Sequence, residues 1–133
     1  MEILYVDDDA DDISLFVEAL QNTDRSIKFT YALSASDALK KLNNYLCTPD
    51  IIFIDYHLGG MDGHQCVQHI KQREELRRVT VVVLSANITP VLIDEFNRLG
   101  VYHFLSKSAV LTDLETTLKV ILDSVPKGEK NPT

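Results

Sequence analysis

The chain has 133 residues, 45% of them hydrophobic and 25% charged, which fits one globular domain able to bury a core without disulfide or metal staples. Its formal net charge of -7 disfavours broad binding to nucleic acid or anionic membrane, because phosphates are repelled. No signal peptide precedes the first apolar run and no run reaches membrane-spanning length, so a cytoplasmic protein is expected, with Cys47 and Cys66 as free thiols.

Ile3–Val6 is a continuous apolar run, read as a first strand, and it ends in Asp7-Asp8-Asp9. Ile13, Phe16, Val17 and Leu20 then recur at helical spacing, with Asp11 and Asp12 in the first turn. Ile27–Ala32 reads as a second strand, and Ala35, Ala38, Leu39 and Leu42 as the stripe of a second helix capped by Ser34 or Ser36. A third strand, Ile51–Ile54, runs directly into Asp55. Asp62 and Gly63 read as turn chemistry and a helix start, and Val67 and Ile70 mark a short third helix. Val79–Leu84 is a fourth strand, followed by Ser85-Ala86. Val91, Leu92, Phe96 and Leu99 suggest a fourth helix that Gly100 ends. Val101–Leu105 is a fifth strand, just before Lys107. Leu111, Leu114, Leu118, Ile121 and Leu122 mark a fifth helix, with Ser108 placed to cap it.

The strands are mostly continuous in apolar character rather than alternating, which suits a parallel sheet covered on both faces. The expected fold is α/β, a (βα)5 doubly wound parallel sheet with right-handed crossovers. Ligands in such sheets sit beyond the carboxyl ends of the strands. Those ends carry Asp7, Asp8, Asp55, Ser85 and Lys107. Clustered carboxylates repel by roughly 4 kcal/mol per pair about 4 Å apart at intermediate dielectric. A retained proton or a bound cation must offset that cost. Mg²⁺ suits an open oxygen site that completes its shell with a phosphate. Asp55 is then a credible nucleophile, since carboxylates form aspartyl-phosphates. Lys107 is a counter-charge for it and Ser85 a hydrogen-bond donor to a phosphoryl oxygen.

These separated signals, in this order, resemble the two-component response regulator receiver family, the CheY-like domains. The acidic pair Asp7-Asp8, the run from Asp55 through Leu58 to Gly59-Gly60-Met61-Asp62-Gly63, the pair Ser85-Ala86, and Lys107 with Phe104 before it carry the likeness. It spans Ile3 to about Val125, making 1–125 the domain and 126–133 a flexible tail. The resemblance implies a flavodoxin-like strand order 2-1-3-4-5. It implies Mg²⁺, with Mn²⁺ as an alternative, held by Asp8, Asp55 and the backbone carbonyl of His57, and by Asp7 through water. It implies phosphorylation of Asp55 by a phosphohistidine on a sensor histidine kinase or histidine phosphotransfer protein. Ser85 and Phe104 then act as the switch, Lys107 stabilises the phosphoryl group, and His57 and Asn87 tune its lifetime. The signal leaves through the surface of the fourth helix, fifth strand and fifth helix toward a downstream protein, from a monomer or a phosphorylation-promoted homodimer. The domain is expected to be a regulatory phosphoacceptor that assists its own phosphorylation and autodephosphorylation, rather than an enzyme. Neither nucleic acid nor membrane is an expected partner. Because the chain opens at Met1 just before the first strand, a stand-alone receiver is the expectation.

Three departures from the family pattern matter: Ser108 follows Lys107 where proline is common, Gly59 replaces a frequent proline, and the pairing of His57 with Asn87 at the lifetime-tuning positions does not set that lifetime. Simpler readings stand beside the sharp ones. Asp9, Asp11 and Asp12 are explained by a helix N-terminus, where the dipole favours anions. His64, Cys66 and His69 match no strong zinc spacing. A phosphate-independent binding module is the first alternative, but it would be expected to have lost part of the set. A Mg²⁺ phosphatase would want an acid at the second position after its nucleophile, where His57 stands. A flavin carrier would need a phosphate-cradling first loop, and this one is acidic.

Overall fold

The computed structural model describes residues 1–23, 26–44, 48–58, 62–107 and 114–124. Strands β1 (Glu2–Val6), β2 (Lys28–Ala32), β3 (Ile51–Asp55), β4 (Thr80–Ser85) and β5 (His103–Ser106) form one parallel five-stranded sheet in the order β2-β1-β3-β4-β5. Helices α1 (Ala10–Thr23), α2 (Ala35–Asn43), α3 (Gly63–Lys71), α4 (Pro90–Asn97) and α5 (Leu114–Ser124) alternate with them, and a 3-10 turn (Glu74–Leu76) precedes β4. The expected (βα)5 fold and strand order are the ones observed.

Successive side chains of a strand point to opposite faces, and β1 shows the consequence. Leu4 and Val6 join Ile52, Ile54 and Val83 in a core closed by Ala38 and Leu42 of α2, Val67 and Ile70 of α3, and Phe96 of α4. Ile3 and Tyr5 join Phe53, Val82 and Leu84 in a second core, closed by Ile13, Phe16 and Leu20 of α1 and by Leu118, Ile121 and Leu122 of α5. Both faces of β1 and β3 are thus buried, which is why their sequences are apolar without alternation.

Local chemistry sets the helix limits. Ser34, rather than Ser36, caps α2 by accepting from the Asp37 amide at 3.0 Å. Asp62 caps α3 in a reciprocal box with Gln65. Thr89 accepts from the Leu92 amide ahead of α4, whose first residue is Pro90. Past α4 the chain turns through Gly100 at φ 87, where a side chain is disfavoured. There the Val101 amide donates to Phe96 O at 3.0 Å. That bond explains why β5 starts at His103 and not at the expected Val101, whose amide the helix end has taken. Val79 likewise gives its amide to Leu76 O, so β4 starts one residue later than its apolar run. Within α4 the buried stripe is Leu92 and Phe96, while Val91 is 68% exposed.

Cys66 is buried and unpaired, and burial pushes its thiol up to about 12. Cys47, Gly59, Gly60, Met61, Ser108 with its expected cap and its peptide bond to Lys107, Leu111, and the tail 126–133 lie outside the described residues. No helix among the described residues is long and apolar enough to cross a membrane.

Candidate functional site

The chain winds from β1 out to β2 and back past β1 to β3, so the carboxyl ends of β1 and β3 flank the crevice that such sheets offer to ligands. Val6 pairs with Ile54, so one step further along each strand brings Asp7 beside Asp55. Both are nearly sealed from solvent, at 0% and 4% exposure, whereas Asp8 at the loop edge is exposed.

Asp7 is held by several donors. Tyr5 lies two residues back on the same strand, and its hydroxyl donates to Asp7 Oδ2 at 2.7 Å. The Asp9 amide donates to Asp7 Oδ1 at 3.0 Å. Asp9 in turn accepts from the amides of Asp11 and Asp12, acting as the cap of α1. Asp55 Oδ1 accepts from the His57 amide at 3.2 Å, and Asp55 Oδ2 accepts from Lys107 Nζ at 2.7 Å. Lys107 stands directly after β5 and reaches over the end of β4 to do this. Its ammonium also lies 3.1 Å from Asp7 Oδ2 and 3.0 Å from Asp12 Oδ2.

The electrostatics follow from this packing. Burial raises the Asp55 carboxyl above its ordinary 3.8; the hydrogen bond and charge of Lys107 and the His57 amide oppose that shift, and the charge of Asp7 adds to it. Burial alone would depress the Lys107 ammonium, but hydrogen bonds to Asp55, Asp12 and Asp7 reverse this and hold it above its ordinary 10.5. Burial, then the hydrogen bond and charge of Asp7, lift the Tyr5 hydroxyl far above its ordinary 10.0, so it stays a donor.

Carboxylate oxygens of Asp7, Asp8 and Asp55 lie within 4.8 Å of one another. An all-oxygen donor set open on the Asp8 side fits a hard divalent cation that keeps part of its water. His64, Cys66 and His69 form no such group among the described residues.

The other expected residues are placed as follows. Ser85 is buried at the end of β4, and its hydroxyl exchanges hydrogen bonds with the backbone of Asn87 at 3.1 and 3.2 Å. The side chains of His57 and Asn87 are exposed. Phe104 is half-buried on β5, its ring 6.2 Å from Phe96, which in turn stacks edge-on against Tyr56 at 5.9 Å. Two contributors escaped the sequence reading. By pattern Tyr5 is one more core residue of β1, although residues two apart on a strand share a face, and that spacing to Asp7 is the available signal. Asp12 looked like a helix-start acid, and nothing local points it toward Lys107.

A family model described as the response regulator receiver domain matches residues 3–119. The chain belongs to the response regulator receiver domain family. Among curated relatives of this receiver domain, the two-component response regulator ARR5 of Arabidopsis thaliana is 33% identical over 98% of this chain and 73% of its own length. The two-component response regulator ORR6 of Oryza sativa subsp. japonica is 28% identical over 86% of this chain, and the match spans only 66% of that protein. Among solved structures, the phosphorylated cyanobacterial phytochrome response regulator RcpA superposes with a TM-score of 0.83 at 29% identity, covering 95% of this chain and 98% of its own. Receiver domains are regulatory and work in two-component systems with histidine kinases, so this chain is a two-component signalling module.

Proposed function

We propose that this receiver domain accepts a phosphoryl group on Asp55 from a phosphohistidine of a sensor histidine kinase or histidine phosphotransfer protein. The observation that carries this reading is Asp55 itself. It is a nearly buried carboxylate clustered with Asp7 and Asp8, and the Lys107 ammonium lies 2.7 Å from it. In the transfer an Asp55 oxygen attacks phosphorus, the P–N bond breaks, and the departing imidazole nitrogen takes up a proton.

Asp8, Asp55 and the His57 carbonyl would hold Mg²⁺, or Mn²⁺ in its place, with Asp7 acting through water. When bound, such an ion supplies positive charge against the phosphoryl oxygens. Lys107 moves its hydrogen bond from Asp55 to a phosphoryl oxygen. Ser85 releases the Asn87 backbone and donates to another, and His57 and Asn87 border the opening through which water reaches the acyl phosphate and set its lifetime. The vacated space draws Phe104 inward against Phe96 and shifts the α4-β5-α5 surface between two populations. Val91 and Tyr102, each 68% exposed on that surface, suit a downstream protein or a second copy of the chain. The domain spans 1–125 with 126–133 as a tail, acts in the cytoplasm, turns over no external substrate, and needs neither nucleic acid nor membrane.

Intact-mass measurement after incubation with Mg²⁺ and a small phosphodonor such as acetyl phosphate tests this. A gain of about 80 Da, one HPO₃ unit, is expected on the wild type and absent in Asp55→Asn. A wild type that stays unmodified with several donors would overturn the reading in favour of a phosphate-independent binding module.

A further inference from the structure

An ammonium group has three N–H donors, and Lys107 is surrounded by three carboxylates: Asp55 at 2.7 Å, Asp12 at 3.0 Å and Asp7 at 3.1 Å. These three are not equivalent. Asp7 and Asp55 belong to the cluster able to hold a divalent cation, and Asp12 does not. A cation drawn to Asp7, Asp8 and Asp55 takes over their charge and repels the ammonium. Asp12 is the partner that this exchange leaves in place. It projects from the first turn of α1, with 16% of its side chain exposed against 20% for Lys107, so the contact is largely shielded from water. The Asp9 cap fixes the backbone of that turn through the Asp11 and Asp12 amides.

We propose that Asp12 is a positioning residue: it retains Lys107 over the phosphoacceptor when the cation arrives, so that the ammonium is in place for the incoming phosphoryl group. This rests on the phosphoacceptor reading above. Asp12 touches neither the transferred group nor the candidate cation, and it acts through Lys107 alone.

The test is a double-mutant cycle between Asp12→Asn and Lys107→Met, read as the rate of Asp55 modification by acetyl phosphate at saturating Mg²⁺. Asp12→Asn should slow the wild-type background about 10-fold, the size expected for one lost charge-assisted contact. It should leave the Lys107→Met background within about twofold. Asp12→Glu, which keeps the charge, should recover most of the rate. Calorimetry should find Mg²⁺ affinity in Asp12→Asn within about threefold of wild type, since Asp12 is not a ligand. Equal losses in both backgrounds, or no loss in either, would overturn the proposal. A second readout needs no phosphorylation: in Mg²⁺-loaded, ¹⁵N-lysine-labelled protein the Lys107 ammonium signal should be protected from exchange in wild type and lost in Asp12→Asn. If wild type takes no adduct, the phosphoacceptor reading fails by itself, and the ammonium signal decides the positioning claim. An ammonium signal unchanged in Asp12→Asn would sink it.

Discussion

The Tyr5 hydroxyl donates to Asp7 Oδ2 at 2.7 Å, with both side chains fully sealed from solvent. A buried carboxylate thereby recovers part of its lost hydration from beneath, through a neutral donor that brings no charge of its own. Tyr5→Phe removes this bond and leaves one carboxylate lone pair unsatisfied. A loss of about 1.5–3 kcal/mol in urea denaturation at neutral pH is expected, the range for a hydrogen bond to a charged group. The folded hydroxyl ionises above its ordinary 10.0, so its contribution is intact below that pH and declines as pH rises past it. Tyr5→Phe should therefore flatten the alkaline fall in stability. An alkaline limb identical to wild type would refute this.

Lys107→Met leaves Asp7 and Asp55 buried without their cation. Breaking a buried pair costs about 3–5 kcal/mol, and the partial exposure of the lysine side chain discounts this to about 2 kcal/mol. Millimolar Mg²⁺ should narrow the gap to wild type, because a divalent ion supplies the missing charge. Urea midpoints with and without Mg²⁺ check this, and a gap indifferent to the metal would count against a cation at the acidic cluster.

Asp55→Asn should stabilise the resting protein. Burial raises the folded carboxyl above its ordinary 3.8, so the folded state binds its proton more tightly than the unfolded chain does. Stability then falls as pH climbs from that value through the folded one. The variant escapes this penalty, so its thermal midpoint should exceed that of wild type at neutral pH, and the two should converge as pH drops below the ordinary carboxylate range. A variant less stable at neutral pH would show that the Lys107 ion pair outweighs the cost of burial.

Gly63→Ala tests the turn beneath the site. A Cβ at this position would lie 2.8 Å from both Asp55 O and Tyr56 Cα, and these are backbone atoms that cannot swing aside. The Gly63 amide also donates to Tyr56 O at 2.9 Å, tying the start of α3 to the residue after Asp55. We expect a loss of about 2 kcal/mol or more, together with slower modification of Asp55. A variant of wild-type stability with wild-type modification rates would show that the turn yields at no cost.

Much of the site is legible in the sequence, because four strands end in a polar residue after an apolar run. Asp7, Asp55, Ser85 and Lys107 each announce themselves this way, and parallel topology collects strand ends at one edge. What stayed hidden were pairings made by tertiary packing. Asp12 satisfies a generic rule for helix starts, and that sufficient local explanation masks its contact with Lys107. Tyr5 satisfies the apolar pattern of β1, which conceals its hydroxyl. Val91 falls at the margin of the same apolar stripe as Leu92 and Phe96, and the sequence alone does not say which margin is covered. Only the helix's angle of approach to the sheet decides which of them is covered.

Lys107 directly follows an edge strand, yet its head group rests two strands away at the end of β3 and three away at the end of β1. A single flexible side chain thus crosses the end of β4 like a tie-rod. Any covalent change at Asp55 alters the pull on β5 directly, while the hydrogen-bonded interior of the sheet need not deform. The stiff centre can then serve as an anvil and the edge strand, with Phe104 on it, as the part that yields. On the proposed function, information would leave this molecule sideways, along its rim, rather than through its core.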